Sequence, residues 1–270
     1  MLFFKLLLIR LRGWMWGRGP QAVEAKLEAL RSVMVAYGSG DYETAVRAAE
    51  ELARAGNAQA YCFYRGSMLT HLGRFQEAEP WLRRAVALRH EPLRLALAYS
   101  VLGENLEGQR RYDEAMKCYA TALSLYPGKG SIHRHMAALQ LERGDAPAGA
   151  LELASLAVKE ERALTSPRPG MQRVYAHNLG EALAALAWAT AAAGGDRAEV
   201  DALVAEAVPL MLTGGNYQPP RAQVHYHAGR AYAALEDAAR SAEHFEAAAR
   251  LDPHGIWGRA TTAASNGTRP

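Results

Sequence analysis

The chain has 270 residues, of which 50% are hydrophobic, 8% aromatic and 22% charged, with a formal net charge of +3. So much apolar content excludes a disordered chain, and 31 basic against 28 acidic side chains leave no excess that calls for a polyanionic partner. The hydrophobic half is mostly Ala and Leu, which favour helices, and no stretch alternates apolar and polar residues beside a hairpin turn, so the reading is all-α.

Residues 1–20, MLFFKLLLIRLRGWMWGRGP, come first. A membrane-spanning helix needs about 20 apolar residues, and Lys5, Arg10 and Arg12 interrupt far sooner. A signal peptide needs a longer uncharged core and a small-residue cleavage site, and neither is present. On a helical wheel Phe3, Phe4, Leu7, Leu8, Leu11, Trp14 and Met15 share one side, with Lys5 and Arg12 opposite. Trp14 and Trp16 lie beside Arg12 and Arg18, as at a membrane–water interface. The segment reads as an amphipathic helix contacting a membrane surface through Phe3, Phe4, Leu7, Leu8, Leu11, Trp14 and Trp16. A helix that caps the following fold, or one that binds a partner, is the other reading.

From residue 26 onward the chain repeats, with units near 26–56, 59–92, 96–127, 130–164, 172–212 and 222–253. The first unit carries Gly40-Asp41-Tyr42 and Ala45. The second has Arg65-Gly66, Gly73-Arg74-Phe75, Ala78, Leu82, Ala85 and Leu88; the third has Leu102-Gly103, Arg111-Tyr112, Ala115, Tyr119, Ala122 and Pro127. The fourth is degenerate, with Gly144-Asp145, Gly149 and Leu153. The fifth has Leu179-Gly180, Gly195-Asp196, Val200 and Ala207, and the sixth Ala228-Gly229, Tyr232, Ser241, Phe245, Ala248 and Pro253. Corresponding positions are spaced 33, 37, 34, 51 and 41 residues apart from Ala45 to Ser241. The long fourth step predicts a longer second helix in unit four, to about Leu164, and a longer first helix in unit five, from about Gln172. The same excess, interrupted by Pro167-Arg168-Pro169-Gly170, also fits two helical domains meeting there. Gly66, Gly103 and Gly229 are expected where paired helices cross closely, with Ala78 and Ala115 as small partners. Residues 254–270 have no period and read as a flexible tail.

This set of offsets resembles the tetratricopeptide repeat, whose unit is about 34 residues. The resemblance implies a right-handed α-solenoid of about six tetratricopeptide-like helix-turn-helix units, with first helices lining a concave groove that binds proteins or peptides. Carried over position by position, the groove residues are Phe63, Tyr64, Ser67 and His71 in unit two, and Ser100, Glu104 and Glu107 in unit three. They are Arg134 and His135 in unit four, Asn178 in unit five, and Tyr226, His227 and Arg230 in unit six. Lys is absent from these positions and Asn occurs once, so the carboxylate clamp of some family members is not expected.

Signals for chemistry are weak. The pairs His133/His135 and His225/His227 point to opposite helix faces and cannot each clamp one metal. Gly128-Lys129-Gly130-Ser131 lacks the upstream Gly of a phosphate-binding loop and follows Pro127 rather than a strand. Cys62 and Cys118 form no CxxC pair. The expectation is a scaffold or adaptor and not an enzyme, with no cofactor, no metal and no nucleic acid. Its partner is another protein or peptide segment, and its place is the cytoplasm or, through residues 1–20, the surface of a membrane as a tethered assembly factor. An enzyme or small-molecule sensor built in the groove is the remaining alternative.

Overall fold

The structure, a computed structural model, describes residues 20–38, 41–88, 91–127, 130–164, 172–211, 220–253 and 255–265. The membrane-contacting residues expected from sequence (Phe3, Phe4, Leu7, Leu8, Leu11, Trp14 and Trp16) lie outside the described residues. Among the described residues there are thirteen helices and no strand. They are α1 (Pro20–Gly38), α2 (Tyr42–Arg54), α3 (Ala58–His71), α4 (Phe75–Ala87), α5 (Pro92–Gly108), α6 (Tyr112–Leu125) and α7 (Gly130–Arg143). Then follow α8 (Pro147–Ala163), α9 (Gln172–Ala192), α10 (Arg197–Leu210), α11 (Pro220–Ala234), α12 (Ala238–Leu251) and α13 (Ile256–Ser265). The first twelve form six helical hairpins that stack in chain order as a right-handed α-solenoid.

One local device closes most of the turns. The residue after the helix end enters the left-handed region, and two backbone N–H groups return to the last turn. At Gly73 (φ 68°) the bonds are Gly73 N–H to Thr70 O (2.8 Å) and Arg74 N–H to Leu69 O (2.9 Å). Gly56, Gly144 and Gly194 repeat the arrangement. Glycine is favoured there because a Cβ strains this conformation. The α5–α6 and α11–α12 turns use the same bonds with side chains in place, at Arg110 (φ 61°) and Glu236 (φ 58°).

The crossing glycines lie inside the hairpins, each facing a large residue of the second helix. A Cβ on Gly66, Gly103 or Gly229 would sit 2.6 Å from Leu82, Tyr119 or Phe245 respectively. The large residue one turn beyond Ala78, Ala115 or Ser241 therefore fills the space that the glycine leaves. Ala78 and Ala115 are fully buried in the same core.

Hairpin five departs from the regular stack. Its first helix, α9, has 21 residues, and Ala182, Ala184, Ala185, Ala187, Ala189 and Ala191 are all buried along it. A helix buried all round needs small side chains, and these alanines let α7, α8, α10 and α11 approach it. Earlier first helices pack chiefly on the second helix of the preceding hairpin. In contrast, α11 packs chiefly on α9 and only lightly on α10. The stacking pattern changes at this point.

The C-terminal expectation is corrected. Within the stretch read as a flexible tail, Ile256–Ser265 form α13. The Asp252 carboxylate accepts from the Trp257 backbone N–H (3.2 Å), fixing the start of the helix. Trp257 and Ala260 then pack against Tyr226, Phe245 and Ala248. That burial is what the aperiodic sequence concealed. From α13 the Arg259 guanidinium reaches the α3–α4 turn, where a Cβ on Gly73 would lie 1.9 Å from Arg259 Nη2.

Candidate partner-binding groove

Equivalent positions of the first helices define the inner face. Phe63, Ser100, Arg134 and Tyr226 share one position; Tyr64, His135 and His227 share the next. The residue after each crossing glycine gives a third: Ser67, Glu104, Glu181 and Arg230. Successive first helices touch one another through these positions. His135 Nε2 lies 3.3 Å from Glu104 Oε1, and Arg134 Nη2 lies 2.7 Å from Glu181 Oε2.

In hairpins four to six this face is occupied by the protein itself. The Arg230 guanidinium donates to both oxygens of Glu142 (2.9 and 3.0 Å), and the Tyr226 hydroxyl donates to the same carboxylate (2.8 Å). Arg230 also lies over the Trp188 ring, 4.5 Å from its centroid. His227 packs on Trp188 and edge-on to Trp257, and Tyr226 packs on Trp257. Tyr226 and His227 are 2% and 1% exposed. Burial pushes the Tyr226 hydroxyl up and pulls the His227 imidazole down to about 3, so both stay neutral near pH 7. Arg134 is buried too, with Nε and Nη1 lacking hydrogen-bond partners. Burial raises the Glu181 carboxyl against the pull of Arg134.

Hairpins two and three are different. Ser67 and Ser100 are buried, and His71 stacks on Tyr42 (5.2 Å between centroids), its imidazole lowered by burial to about 4. Phe63 and Tyr64, an edge-to-face pair 5.2 Å apart, remain partly exposed. Tyr64 shares a small core with Leu30 of α1 and a larger one with Val101 of α5. Leu30, Tyr64 and Val101 thus form a half-buried apolar strip across three first helices. Glu104 and Glu107 follow Val101 on α5, about one and two turns further along. The Glu107 carboxylate accepts from the Tyr119 hydroxyl (2.8 Å). Desolvation, opposed by that bond and by Arg134 and reinforced by Glu142 and Glu104, raises Glu107 to about 8. Asn178 is partly exposed on α9, away from this strip.

The sequence reading missed Glu142, Glu181, Trp188 and Trp257. For Glu181 a signal existed, because it follows Gly180 as Glu104 follows Gly103 and Arg230 follows Gly229. A cleft of about 580 Å³ opens on the turn edge, lined by Arg110, Arg111, Tyr112, Asp113, Glu114, Glu142, Arg143 and Asp145. Its arginines are engaged: Arg111 with Glu79 and Glu114, and Arg143 with Asp113 and Asp145. Among the described residues no three His, Cys, Asp or Glu side chains form a metal-ligand group.

Family models described as tetratricopeptide repeat match residues 56–128 and 222–254. These two segments are tetratricopeptide repeats. The solved APC/C hetero-tetramer Cut9–Hcn1 shares this repeat protein's fold, with a TM-score of 0.57 at 13% identity. The match covers 97% of the present chain and 45% of the Cut9–Hcn1 chain, so the repeat protein spans less than half of that relative's length. BtubC from P. vanneervenii aligns over 90% of this chain and 94% of its own, with 18% identity and a TM-score of 0.47. PilF of Pseudomonas aeruginosa aligns over 90% and 99%, with 17% identity and a TM-score of 0.48. No curated protein sequence matches the chain.

Proposed function

We propose that this repeat protein is a non-catalytic adaptor that holds a segment of another protein on the inner face of hairpins one to three. The observation that carries the reading is the contrast along the groove. Tyr226, His227 and Arg134 are used up in internal contacts, whereas Phe63, Tyr64, Leu30 and Val101 keep accessible apolar surface. Phe and Tyr side chains held in place by a rigid helix pair are efficient anchors, each contributing about 2 kcal/mol or more at an interface centre. Of the groove residues expected from sequence, the reading keeps Phe63, Tyr64, Glu104 and Glu107 as contacts. It assigns Arg134, His135, Tyr226, His227 and Arg230 to holding the inner helices together.

The test is site-specific photo-crosslinking in the native host. A photoreactive side chain at Tyr64 should capture a defined partner, and one at exposed Leu156 on α8 should not. Phe63→Ala should abolish the capture with helicity and melting unchanged. Capture that is equal at both sites, or that survives Phe63→Ala, refutes the placement.

A second reading adds a membrane. Residues 1–20 carry Lys5, Arg10, Arg12 and Arg18 and no acid, so the remainder of the chain carries 3 − 4 = −1. Charge concentrated beside the most apolar segment supports attachment to anionic lipid. Among the described residues no helix is long and apolar enough to cross a membrane. Vesicles containing phosphatidylserine should bind the full chain in a salt-sensitive manner, and binding that persists after deletion of residues 1–20 would end this reading.

A further inference from the structure

We propose that residues 2–16 of the chain itself return as a helix antiparallel to α1 and cover the α1 end of the apolar strip until a partner displaces them. The proposal rests on the adaptor reading and names a competitor built into that site.

The surface of α1 carries it. Ala29 and Val33 are buried in the core of hairpin one with Ala49 and Leu52 of α2. Glu24, Glu28, Arg31 and Ser32 are exposed and give the helix a polar side, as the end of a stack requires. Between these two sides runs a stripe at helical spacing, Val23, Leu27, Leu30 and Met34. Among the described residues Leu30 alone of the four packs in a core, beside Tyr61 and Tyr64 of α3. Leu27 is 40% exposed, and Val23 and Met34 are half-buried. The stripe thus continues the strip of Leu30, Tyr64 and Val101 onto a face of α1 that no described element covers.

Reach, pattern and charge assign the occupant. The described structure begins at Pro20, the first residue of α1, so Gly17-Arg18-Gly19 is the whole connection. Links of about 2–5 residues join antiparallel helices. Residues 2–16 as a helix span about 22 Å, which matches α1 from Pro20 to Met34. Phe3, Leu7, Leu11 and Trp14 recur at helical spacing, as the residues of the stripe do. Arg12 and Glu24 lie equally far from Arg18 in sequence, so the antiparallel return sets them at one level, on the same flank of the contact. So short a tether holds the segment at an effective concentration of order millimolar, enough for a modest apolar contact to fill the strip.

The test uses the purified full chain with a photoreactive side chain in place of Leu27. Illumination at high dilution should join it, within one chain, to a residue between Phe3 and Trp14, as read by mass spectrometry. The same probe in place of Leu156 on α8 should give no such product. Leu7→Glu combined with Leu11→Glu should remove the product, with circular dichroism showing the solenoid still helical. A segment that fills the strip more than half of the time at least halves the partner's apparent affinity. The double substitution should therefore raise partner capture at Tyr64 about twofold or more in the native host. A product that is absent at Leu27, equally strong at Leu156, or formed between two chains overturns the proposal, the last by giving the stripe to a second copy. A silent Leu27 probe in a chain that residues 1–20 carry to phosphatidylserine vesicles gives the apolar side to lipid and overturns it too. An intramolecular product without a rise in capture means that segment and partner do not share the strip, which also overturns it. Failure of capture at Tyr64 in both forms counts against the adaptor reading, because the Leu27 product reports docking without any partner.

Discussion

Arg230 and Glu142, 88 residues apart in sequence, are joined by two hydrogen bonds that tie the first helix of hairpin six to that of hairpin four. The guanidinium is sandwiched between this carboxylate and the Trp188 ring. Both partners are largely enclosed, with side-chain exposures of 22% and 14%. Removing either alone leaves a half-buried charge uncompensated, at a cost of about 3 kcal/mol or more. Arg230→Met and Glu142→Gln should each lower the denaturant midpoint, and the double variant should lose less than the sum of the two. Additive losses would mean that the pair does not act as a unit.

The two left-handed turns without glycine offer a gain. Arg110 and Glu236 occupy the conformation that Gly73, Gly144 and Gly194 fill elsewhere. A side chain there costs about 1–2 kcal/mol, partly offset by the added freedom of glycine in the unfolded chain. Arg110→Gly and Glu236→Gly should each stabilise the protein by about 0.5–1 kcal/mol in equilibrium unfolding.

Stability should fall on both sides of weakly acidic pH. Glu107 binds its proton more tightly folded than unfolded, since its carboxyl rises from 4.5 to about 8. Its contribution is complete below pH 4.5 and is lost as pH rises through 8. His71 and His227 are shifted the other way, to about 4 and about 3, so their contribution is present above pH 6.5 and lost as pH falls through those values. Denaturation series from pH 5 to 9 should show a loss of order a few kcal/mol across the upper range. Glu107→Gln should flatten that limb, since the amide oxygen can still accept from Tyr119. An unchanged limb would exclude Glu107 as its source.

Gly103 has little tolerance. Its Cβ would meet the Tyr119 ring at 2.6 Å, and Tyr119 is held by Glu107 and stacked on His135. Gly103→Leu should cost roughly 1–3 kcal/mol or more by overpacking. At Gly66 the two nearest opposing atoms, at 2.6 and 2.7 Å, belong to the Leu82 side chain, which can change rotamer, with the Leu82 backbone nitrogen behind them at 3.3 Å. Gly66→Ala should accordingly cost less than Gly103→Ala in thermal unfolding.

The hairpins were legible because their signals are local. A glycine on the first helix and a large residue on the second recur at a fixed offset in hairpins two, three and six, and the structure packs Gly66 on Leu82, Gly103 on Tyr119 and Gly229 on Phe245. The state of the groove was not legible in the same way. Register places Tyr226 and Phe63 at one position, yet Tyr226 is buried and Phe63 is partly exposed. The difference arises where α11 packs on the alanines of α9, which brings Arg230 to Glu142. Contacts over such separations have no periodic trace. Helix α13 had none either, because its anchor, Trp257, is a single aromatic in an aperiodic stretch.

The meeting of Arg259 with Gly73 has a mechanical consequence. A solenoid open at both ends is a soft spring, since small rotations between neighbours add along its length. Here the Arg259 side chain of the last helix touches the turn of the second hairpin, while Glu142 and Arg230 brace the coil between them. Small rotations between hairpins two and six can no longer accumulate freely, because the two ends of that span are in contact. The coil is thus tied across its open side by one side-chain contact and one ion pair.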